Sequence, residues 1–275
     1  DFKDLKLEDV KGEVVIRDQS INLSDLCMSS NIGSGDLTMV YTTKTDQEAT
    51  MGFELSLNDI LVERLISLFP DIDTLVPMLR SFEGMVDCQM TATCKADSTM
   101  FVLLPSVNAS CYLSGKNMVL LDGETFTEIS KTLMFKNKKR NMIDSIAVDL
   151  AIHDNKIEVF PFLVEMDRYK VAVGGTHNLD MTFDYHLSVL KSPVPFKLGI
   201  DIKGNLDDFK FKIVKCKYKD FLKPAKQAEL DSTRRNVREE IRETIRKQIR
   251  EAAPELGNSL SEIHPHTHGH VEEST

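Results

Sequence analysis

The sequence predicts a mainly β protein with a large antiparallel sheet, a few short covering helices and a C-terminal amphipathic helix. Apolar and polar side chains alternate from residue 5 to 57 and again from 143 to 218, which is typical of strands. Helical spacing is confined to short segments between these regions and to residues 231–251. A hairpin pattern occurs twice, which indicates a sheet assembled from similar units.

The first β region is predicted to be a meander. Residues that share a face lie two positions apart, because successive side chains of a strand point to opposite sides of its sheet. The same-face sets are Val14 and Ile16; Ile21 and Leu23; Leu37, Met39 and Tyr41; and Met51, Phe53, Leu55 and Leu57.

Inserted helices are predicted over about residues 58–80. Asn58 is a typical N-cap residue, helical spacing follows it, and Pro70 ends the first helix. In the second, residues 71–80, the apolar side chains fall on one stripe, although Pro77 makes the helix less regular.

Strand character returns after these helices. It is clear at residues 84–94 and around 109–113, while residues 100–104 are ambiguous. A further inserted helix is predicted over about 123–134, and the basic residues 136–140 form the loop that closes it.

The second β region has the most regular alternation in the chain, and several of its strands run about ten residues, or ~33 Å. Its same-face sets are Ile146, Val148, Leu150 and Ile152; Ile157 and Val159; Tyr169, Val171 and Val173; Met181, Phe183, Tyr185, Leu187 and Val189; Phe196, Leu198, Ile200 and Ile202; and Phe209, Phe211 and Ile213.

The repeated hairpin aligns residues 16–26 with residues 152–162, apolar on apolar and turn on turn. Each copy leads to a pair of glycines and then to an alternating strand. The pairs are Gly33 with Gly35, and Gly174 with Gly175. The glycines of the first pair are expected to permit a tight turn or a bulge.

We therefore predict one body over residues 1–223, with an internal repeat at about 1–57 and 110–220. Residues 224–257 form an amphipathic helix, and residues 258–275 are a polar, disordered tail. The opening residues already alternate like a strand, so the chain is expected to be cut from a longer protein with any anchor upstream. No stretch has the length of a membrane span.

Composition limits the classes of function. The 275 residues carry a net charge of -9, so the chain offers no overall basic field and no nucleic-acid partner is expected. The five cysteines are odd in number and lack the C-x-x-C spacing of zinc ribbons, which favours small buried side chains over a disulfide framework. Neither a cofactor nor a metal is predicted.

The C-terminal tail contains four histidines at alternating positions, His264, His266, His268 and His270. Imidazoles on one side of an extended segment can chelate a transition metal. The simpler interpretation is a solvated tail that chelates only adventitiously, because no thiol or carboxylate cluster supports a second shell.

Sequence motifs for catalysis are absent. Nothing resembles a nucleophile elbow, a zinc-binding H-E-x-x-H or a phosphate-binding loop. The segment Gly33-Ser34-Gly35 precedes a strand rather than opening a helix, so its glycines serve the backbone. We predict that the protein is not an enzyme.

The apolar strand faces carry the functional hypothesis. A sheet with one apolar face must cover it with another sheet, with helices or with a ligand, since large bare patches are rare on soluble monomers. If the few helical segments leave part of the face open, that part forms a groove for acyl chains. The alternative is a filled sandwich or a helix-backed sheet.

Four segments resemble the C-terminal region of the AsmA family. They are residues 115–123 before an amphipathic helix, the hairpin 152–157, the glycine and strand segments 173–176 with 180–185, and residues 202–209. The resemblance covers roughly residues 80–220. The arginine-rich helix and the histidine tail lie outside it.

The AsmA family comprises long, inner-membrane-anchored periplasmic proteins of Gram-negative bacteria that affect outer-membrane assembly. They are related to bridge-like lipid-transfer proteins built from repeating β-groove units. The resemblance implies a sheet curled into a groove with an apolar lining. It also implies an upstream membrane anchor and a periplasmic location, and it carries over no catalytic residues.

The leading hypothesis is therefore a non-enzymatic module that binds or conducts phospholipid or lipopolysaccharide acyl chains. The candidate lining is Ile146, Val148, Leu150, Ile152, Ile157, Val159, Phe183, Tyr185, Leu187, Leu198, Ile200 and Ile202.

The competing hypothesis is a structural scaffold with a fully packed core and an envelope protein as partner. In that case the apolar line of the C-terminal helix docks into the partner or into a coiled coil. That line consists of Val237, Ile241, Ile245 and Ile249.

Overall fold

The computed structural model contains one large antiparallel sheet and a long C-terminal helix. The structure describes residues 6–17, 19–31, 33–45, 48–68, 82–97, 99, 101–120, 141–166, 169–178, 180, 182–192, 197–205 and 208–252. The strands are β1 (Leu7–Arg17), β2 (Ser20–Ser30), β3 (Gly33–Thr45), β4 (Glu48–Leu61), β5 (Phe82–Glu83), β6 (Met85–Asp97), β7 (Asn108–Leu120), β8 (Asn141–His153), β9 (Lys156–Met166), β10 (Tyr169–Asn178), β11 (Phe183–Lys191), β12 (Leu198–Gly204) and β13 (Phe209–Val214). The helices are α1 (Val62–Leu68), a short 3₁₀ turn (Leu104–Ser106) and α2 (Pro224–Ala252).

The topology is a meander. Twelve strands follow one another across the sheet in chain order, and the two-residue β5 pairs with β7 beside this path. All the pairings between the described strands are antiparallel, and β1 and β13 lie at the two ends of the sheet. The predicted fold class, mainly β with a large antiparallel sheet and few helices, is confirmed.

The sheet has two chemically different faces, because residues paired across antiparallel strands project to the same side. We define the polar face as the side of Asp149 in β8 and the apolar face as the side of its neighbour Leu150. The apolar face carries Val14, Ile16, Ile21, Leu23, Leu37, Met39, Tyr41, Met51, Phe53, Leu55, Leu57, Cys88, Met90, Ala92, Ala109, Cys111, Leu113, Ile146, Val148, Leu150, Ile152, Ile157, Val159, Tyr169, Val171, Val173, Phe183, Tyr185, Leu187, Val189, Leu198, Ile200, Ile202, Phe209, Phe211 and Ile213.

The repeated hairpin is present in both places. Ile16 pairs with Ile21 in the first copy, and Ile152 pairs with Ile157 in the second. The glycine pairs, however, are not equivalent. Gly33 begins β3 at a φ of 142°, whereas Gly174 and Gly175 lie inside β10. The duplication is therefore visible in the hairpins but not in the glycines that follow them.

The β8–β9 turn consists of Asp154 and Asn155, with φ values of 50° and 60°. Two positive φ values in a two-residue loop match the type I′ turn, whose twist fits that of the flanking strands. We expect Asn155→Ala to destabilise the fold by about 1 kcal/mol, because alanine has no local hydrogen bond to offset the left-handed conformation. Asn155→Gly should not destabilise it, and urea unfolding of both variants is the measurement. Equal losses for the two variants would contradict this account of the turn.

The first inserted helix begins later than the sequence predicts. Asn58 and Asp59 belong to β4, Ile60 pairs with Val86, and α1 starts at Val62. Asp59 has a φ of 55° at a register shift, and its backbone N–H donates to Asp87 Oδ1 at 3.0 Å. The predicted N-cap is therefore a β-bulge, because a side chain from β6 satisfies the backbone donor.

Several predicted segments lie outside the described residues. These are the second half of the 58–80 insertion, the 123–134 helix, the basic loop at 136–140 and the histidine tail. The C-terminal helix spans Pro224–Ala252, so it begins before residue 231, the start of the helical spacing. Proline is favourable in the first helical turn because its missing N–H has no helical partner there.

The segment after β13 and helix α2 both pack on the polar face. Phe221 is buried in a cluster with Ala172 and Leu190. Further along, Ile245 is buried against Val40 of β3. Strand residues such as Thr93 of β6 are consequently buried although they are polar. The helix thus covers the side of the sheet with the lower apolar content.

Candidate functional site

The twelve predicted lining residues lie on one face. The chain of pairs runs from Ile152 to Ile157, from Ile157 to His177, and from His177 to Phe183. It continues through Tyr185 to Ile202 and through Leu187 to Ile200. Strands β8 to β12 thus bring the predicted residues together into one apolar surface.

Burial divides these residues into two groups. Leu150, Ile152, Ile157, Ile200 and Ile202 are buried by their neighbours in the sheet. The other seven are half-buried and keep part of their surface exposed: Ile146, Val148, Val159, Phe183, Tyr185, Leu187 and Leu198. The first group is part of the packed interior, and the second keeps apolar side-chain surface accessible on this face.

Sequence reasoning missed the contribution of β4, β6 and β7 to this surface. Cys88, Ala92, Ala109 and Cys111 form one buried cluster with Leu150. Phe53, Met90, Leu113 and other half-buried side chains pack against it. The alternation in β4 and β6 indicates which residues share this face. The pattern is weak because small residues such as Ala and Cys differ less from their polar neighbours in hydropathy than Leu or Ile would.

Cys88 and Cys111 are close neighbours on this face. Their sulfur atoms are 3.8 Å apart, and both residues are buried free thiols. The contact with Cys88 and burial both raise the pKa of the Cys111 thiol. Cys94 and Cys88 belong to the same strand and share its parity, as the sequence indicates. The thiols act here as small apolar side chains.

The ring of Tyr185 in β11 packs over Gly175, its cross-strand partner in β10, which has no side chain. A β-carbon on Gly175 would lie 2.7 Å from Tyr185 Cα and 2.8 Å from its Cδ1. The two residues are paired across β10 and β11. An aromatic ring beside a cross-strand glycine restores packing that the glycine lacks. Burial in this surface raises the pKa of Tyr185 to about 12.

The pKa of Tyr185 makes stability dependent on alkaline pH. The folded pKa exceeds the unfolded value of about 10, so the contribution is complete below pH ~10 and is lost as the pH rises toward 12. We expect Tyr185→Phe to reduce this alkaline loss by up to about 2 kcal/mol. Urea midpoints at rising pH test it, with Tyr112→Phe as control. A parallel decline in Tyr185→Phe and the parent would contradict the assignment.

The ends and edges of the apolar face differ in coverage. Val62 and Ile66 of α1 pack with Val86 and the neighbouring apolar residues, and so cover one end. On the edge strands, Ile16 of β1 is 74% exposed and Ile213 of β13 is 62% exposed. No helix in the described part of the chain packs across the middle of the face.

The predicted partner line of α2 points at the chain's own sheet. Ile245 is buried against Val40 with Ile241 beside it, and Val237 lines a small cavity with Ile241 over β7 and β8. Ile249 belongs to the helix, and its side chain lies outside the described residues. Ile241 and Ile245 are thus engaged within the chain.

A row of arginines beside this line also faces the sheet. Arg238 Nη2 donates to Asp149 Oδ1 at 3.0 Å, and its guanidinium lies over the Tyr112 ring. Arg234 Nε is 3.4 Å from Asp149 Oδ2, and Arg242 Nε is 3.6 Å from an oxygen of Glu54. Burial raises the pKa of Asp149, while Arg234 and Arg238 oppose that rise. The arginines are four residues apart, and this spacing in the sequence indicates that they lie on one side of the helix.

Asp201, His186 and Ser188 form a hydrogen-bonded row that resembles a hydrolase triad in outline. His186 Nδ1 is 2.6 Å from Asp201 Oδ1, and its Nε2 is 2.9 Å from Ser188 Oγ. However, Ser188 is fully buried, and its Oγ accepts the backbone N–H of Tyr218. Lys217 N–H donates to His186 Nε2 at 3.1 Å. The row anchors the segment before α2 and leaves no access to Ser188 for a substrate.

The fold and its site define a class: an open antiparallel meander whose polar face carries a helix and whose apolar face spans the sheet. The chain matches no protein-family model, no curated protein and no solved structure. Within the described residues, no helix is both long enough and apolar enough to cross a membrane.

Proposed function

We propose that this protein is a non-enzymatic lipid-handling module whose apolar face binds or conducts acyl chains. The supporting observation is which face of the sheet the long helix covers. Helix α2 lies on the polar face, while the apolar face runs across twelve strands with no described helix over its middle. An amphipathic helix that served only to complete a core would cover the apolar side instead.

Acyl chains suit this surface chemically. The half-buried residues on it are mainly aliphatic or aromatic, and burying apolar surface supplies about 25 cal/mol per Å² without directional contacts. A surface of this kind needs few polar groups to hold a hydrocarbon chain. The continuous run of apolar residues from β1 to β13 gives such a chain a path across strands rather than a single pocket.

The cellular setting belongs to the same proposal. Similarity of the glycine and strand segments to the AsmA family supports a periplasmic module, tethered to the inner membrane of a Gram-negative bacterium through an upstream segment. In that setting the cargo is phospholipid or lipopolysaccharide, and the process is outer-membrane biogenesis. Envelope proteins are the expected further partners.

The second candidate is an envelope scaffold with a fully packed core. Five of the twelve predicted lining residues are buried, which is the observation in its favour. Its partner-binding helix is less well supported, because Ile245 packs against Val40 and the arginine row pairs with Asp149 and Glu54.

Native mass spectrometry of the purified protein with lipid extraction separates the two candidates. The lipid module should copurify with lipid or retain an added acyl-labelled phospholipid. Retention should be sensitive to substitutions on the apolar face and insensitive to matched substitutions on the polar face. Absence of both copurified and added lipid would overturn the proposal and favour the scaffold.

A further inference from the structure

The connection between β6 and β7 carries a group of exposed apolar side chains. Phe101 is 72% exposed, Val102 is 41% exposed and Leu104 is 40% exposed. Pro105, the next residue along the chain, is exposed as well. Single apolar residues at a surface are common, whereas several together mark a site of interaction. We call residues 101–105 the apolar loop.

Hydrogen bonds give this loop a defined backbone. Phe101 N–H donates to a carboxylate oxygen of Asp97 at 3.1 Å, and Asp97 N–H donates to the Phe101 carbonyl oxygen at 2.9 Å. Leu103 N–H donates to the Lys95 carbonyl oxygen at 2.8 Å, and Ser106 Oγ donates to the Leu103 carbonyl oxygen at 2.6 Å. Both backbone groups of Phe101 and of Leu103 are therefore paired within the protein. Paired backbone groups can enter an apolar medium without the cost of losing their water.

The apolar loop adjoins the apolar face of the sheet. Val102 forms a β-bridge with Ala96, and residues paired in this way project to the same side. Ala96 lies four residues after Ala92 in β6, so it belongs to the apolar side. Val107, which follows the loop, packs against the buried cluster that contains Leu150. Apolar side chains thus continue from the loop onto the face.

The other described turns at this end of the sheet are polar. Strand register places the turns after β8, β10 and β12 at the same end as the apolar loop. Their described residues include Asp154, Asn155, Asp180, Thr182, Asn205 and Asp208. The apolar loop is therefore a local projection on a polar end, rather than part of a generally apolar one.

Charges around the loop balance one another. Lys95 of β6 and Lys156 of β9 are offset by Asp97 and Asp154. Binding to anionic lipids through charge requires a cluster of cations, which these residues do not form. The exposed side chains of the loop also offer no polar atoms for the hydrogen bonds that are usual at the rim of a protein–protein interface. Burial of apolar surface is consequently the main interaction that the loop can make, and a lipid bilayer provides it.

We propose that the apolar loop inserts into the interfacial region of a lipid bilayer and docks this end of the sheet on a membrane. Phe101 and Leu104 enter the boundary between headgroups and acyl chains, because this removes their apolar surface from water. The apolar face then begins at the bilayer surface, and acyl chains move between the bilayer and the face at this end. That movement rests on the proposed lipid-handling function, whereas docking can be measured on its own.

Tryptophan fluorescence tests the docking. The chain contains no tryptophan, so an introduced one reports only its own surroundings. We expect phosphatidylcholine vesicles to shift the emission of Phe101→Trp to the blue, and brominated acyl chains to quench it. Leu222→Trp is the control and should not respond, since Leu222 is 46% exposed in the segment before α2.

Two results of this experiment would overturn the docking. One is an emission of Phe101→Trp that vesicles leave unchanged. The other is a blue shift that needs only a higher protein concentration and no vesicles, because the loop would then contact a second copy of the chain.

Removing the apolar side chains tests their contribution to membrane affinity. The double variant Phe101→Ser with Leu104→Ser should weaken binding to phosphatidylcholine vesicles about a hundredfold, since each large apolar side chain contributes about tenfold on burial. Vesicle flotation measures this at about 0.1 M and about 1 M salt, and the parent should bind equally well at both because screening affects charges only. Leu222→Ser is the control and should bind like the parent. Equal binding by the double variant and the control would refute the role of the loop.

A lipid supplied as monomers separates docking from lipid handling. The double variant should bind an acyl-labelled lysophospholipid, added below its critical micelle concentration, as tightly as the parent does. Its uptake of acyl-labelled phospholipid from vesicles should be slower by about tenfold or more. Equal uptake from vesicles by the two proteins would overturn transfer at this end. Insertion of Phe101→Trp by a protein that retains neither lipid would overturn the proposed function and support the docking alone.

Discussion

Replacing Val173 by lysine is expected to abolish the lipid retention that we propose for the folded protein. Val173 is half-buried in β10, where it pairs with Phe162 and Leu187 on the apolar face. A lysine among hydrocarbon chains costs about 2.5 to 3.5 kcal/mol, which corresponds to roughly a hundredfold loss of affinity. The long aliphatic stem of lysine can still pack while its amine reaches water, so the fold should tolerate the change better than it would tolerate an aspartate.

Thr176→Lys provides the matched control for that variant. Thr176 belongs to the same strand but lies on the polar face, opposite Glu158 and Asp184. It adds the same charge beside two carboxylates and should leave lipid retention unchanged. Fluorescence of an acyl-labelled phospholipid, read with urea stability, separates binding from folding. If Val173→Lys folds and binds lipid as Thr176→Lys does, the apolar face is not the binding surface.

Asp149→Ala is expected to destabilise the protein by about 3 kcal/mol, because it leaves Arg234 and Arg238 beneath the helix without their shared carboxylate. The Asp149 side chain is only 12% exposed, so water cannot fully replace the lost partner. Asp149→Asn should cost less, since its amide oxygen can still accept from Arg238. Urea unfolding gives the free energies, and far-ultraviolet circular dichroism shows whether α2 keeps its helix.

The same carboxylate predicts a pH dependence. Burial holds the folded pKa of Asp149 above its ordinary value, so the folded protein binds this proton more tightly than the unfolded chain does. Stability from this group is therefore lost as the pH rises from the ordinary aspartate range through the raised folded pKa. Asp149→Asn should remove that part of the profile. A profile identical to that of the parent would assign the titration to another group.

Alternation predicted the strands and their faces because each strand pairs with a neighbour in sequence. The alternating residues around Leu150 and Ile200 project to the same face of the sheet. A one-residue shift in the pairing of a strand would move all of its apolar side chains to the other face. This rule accounts for the shared face of the twelve candidate residues in β8 to β12. Alternation is a local pattern, and it does not indicate which distant segments pack against either face.

Contacts between distant segments account for the differences. Asn58 and Asp59 suit a helix cap and a β-bulge equally well. The bulge forms because Asp87 of β6 accepts the Asp59 backbone N–H. The apolar line of α2 is visible in the sequence, but its partner Val40 lies some two hundred residues earlier. Pro161 lies at the register shift between β9 and β10, and a proline in a strand gives no indication of which neighbouring strand lies on its nitrogen side.

The meander also determines the order in which the molecule can form during synthesis. Each strand on the main path joins an edge that already exists, so the sheet can grow as the chain leaves the ribosome. Helix α2 follows all the described strands in the chain and packs on β3, β4, β6 and β7. It docks last, onto a side rich in threonine, serine and charged groups. Because water can hydrate that polar side, the sheet does not expose an aggregation-prone apolar surface there before α2 packs on it.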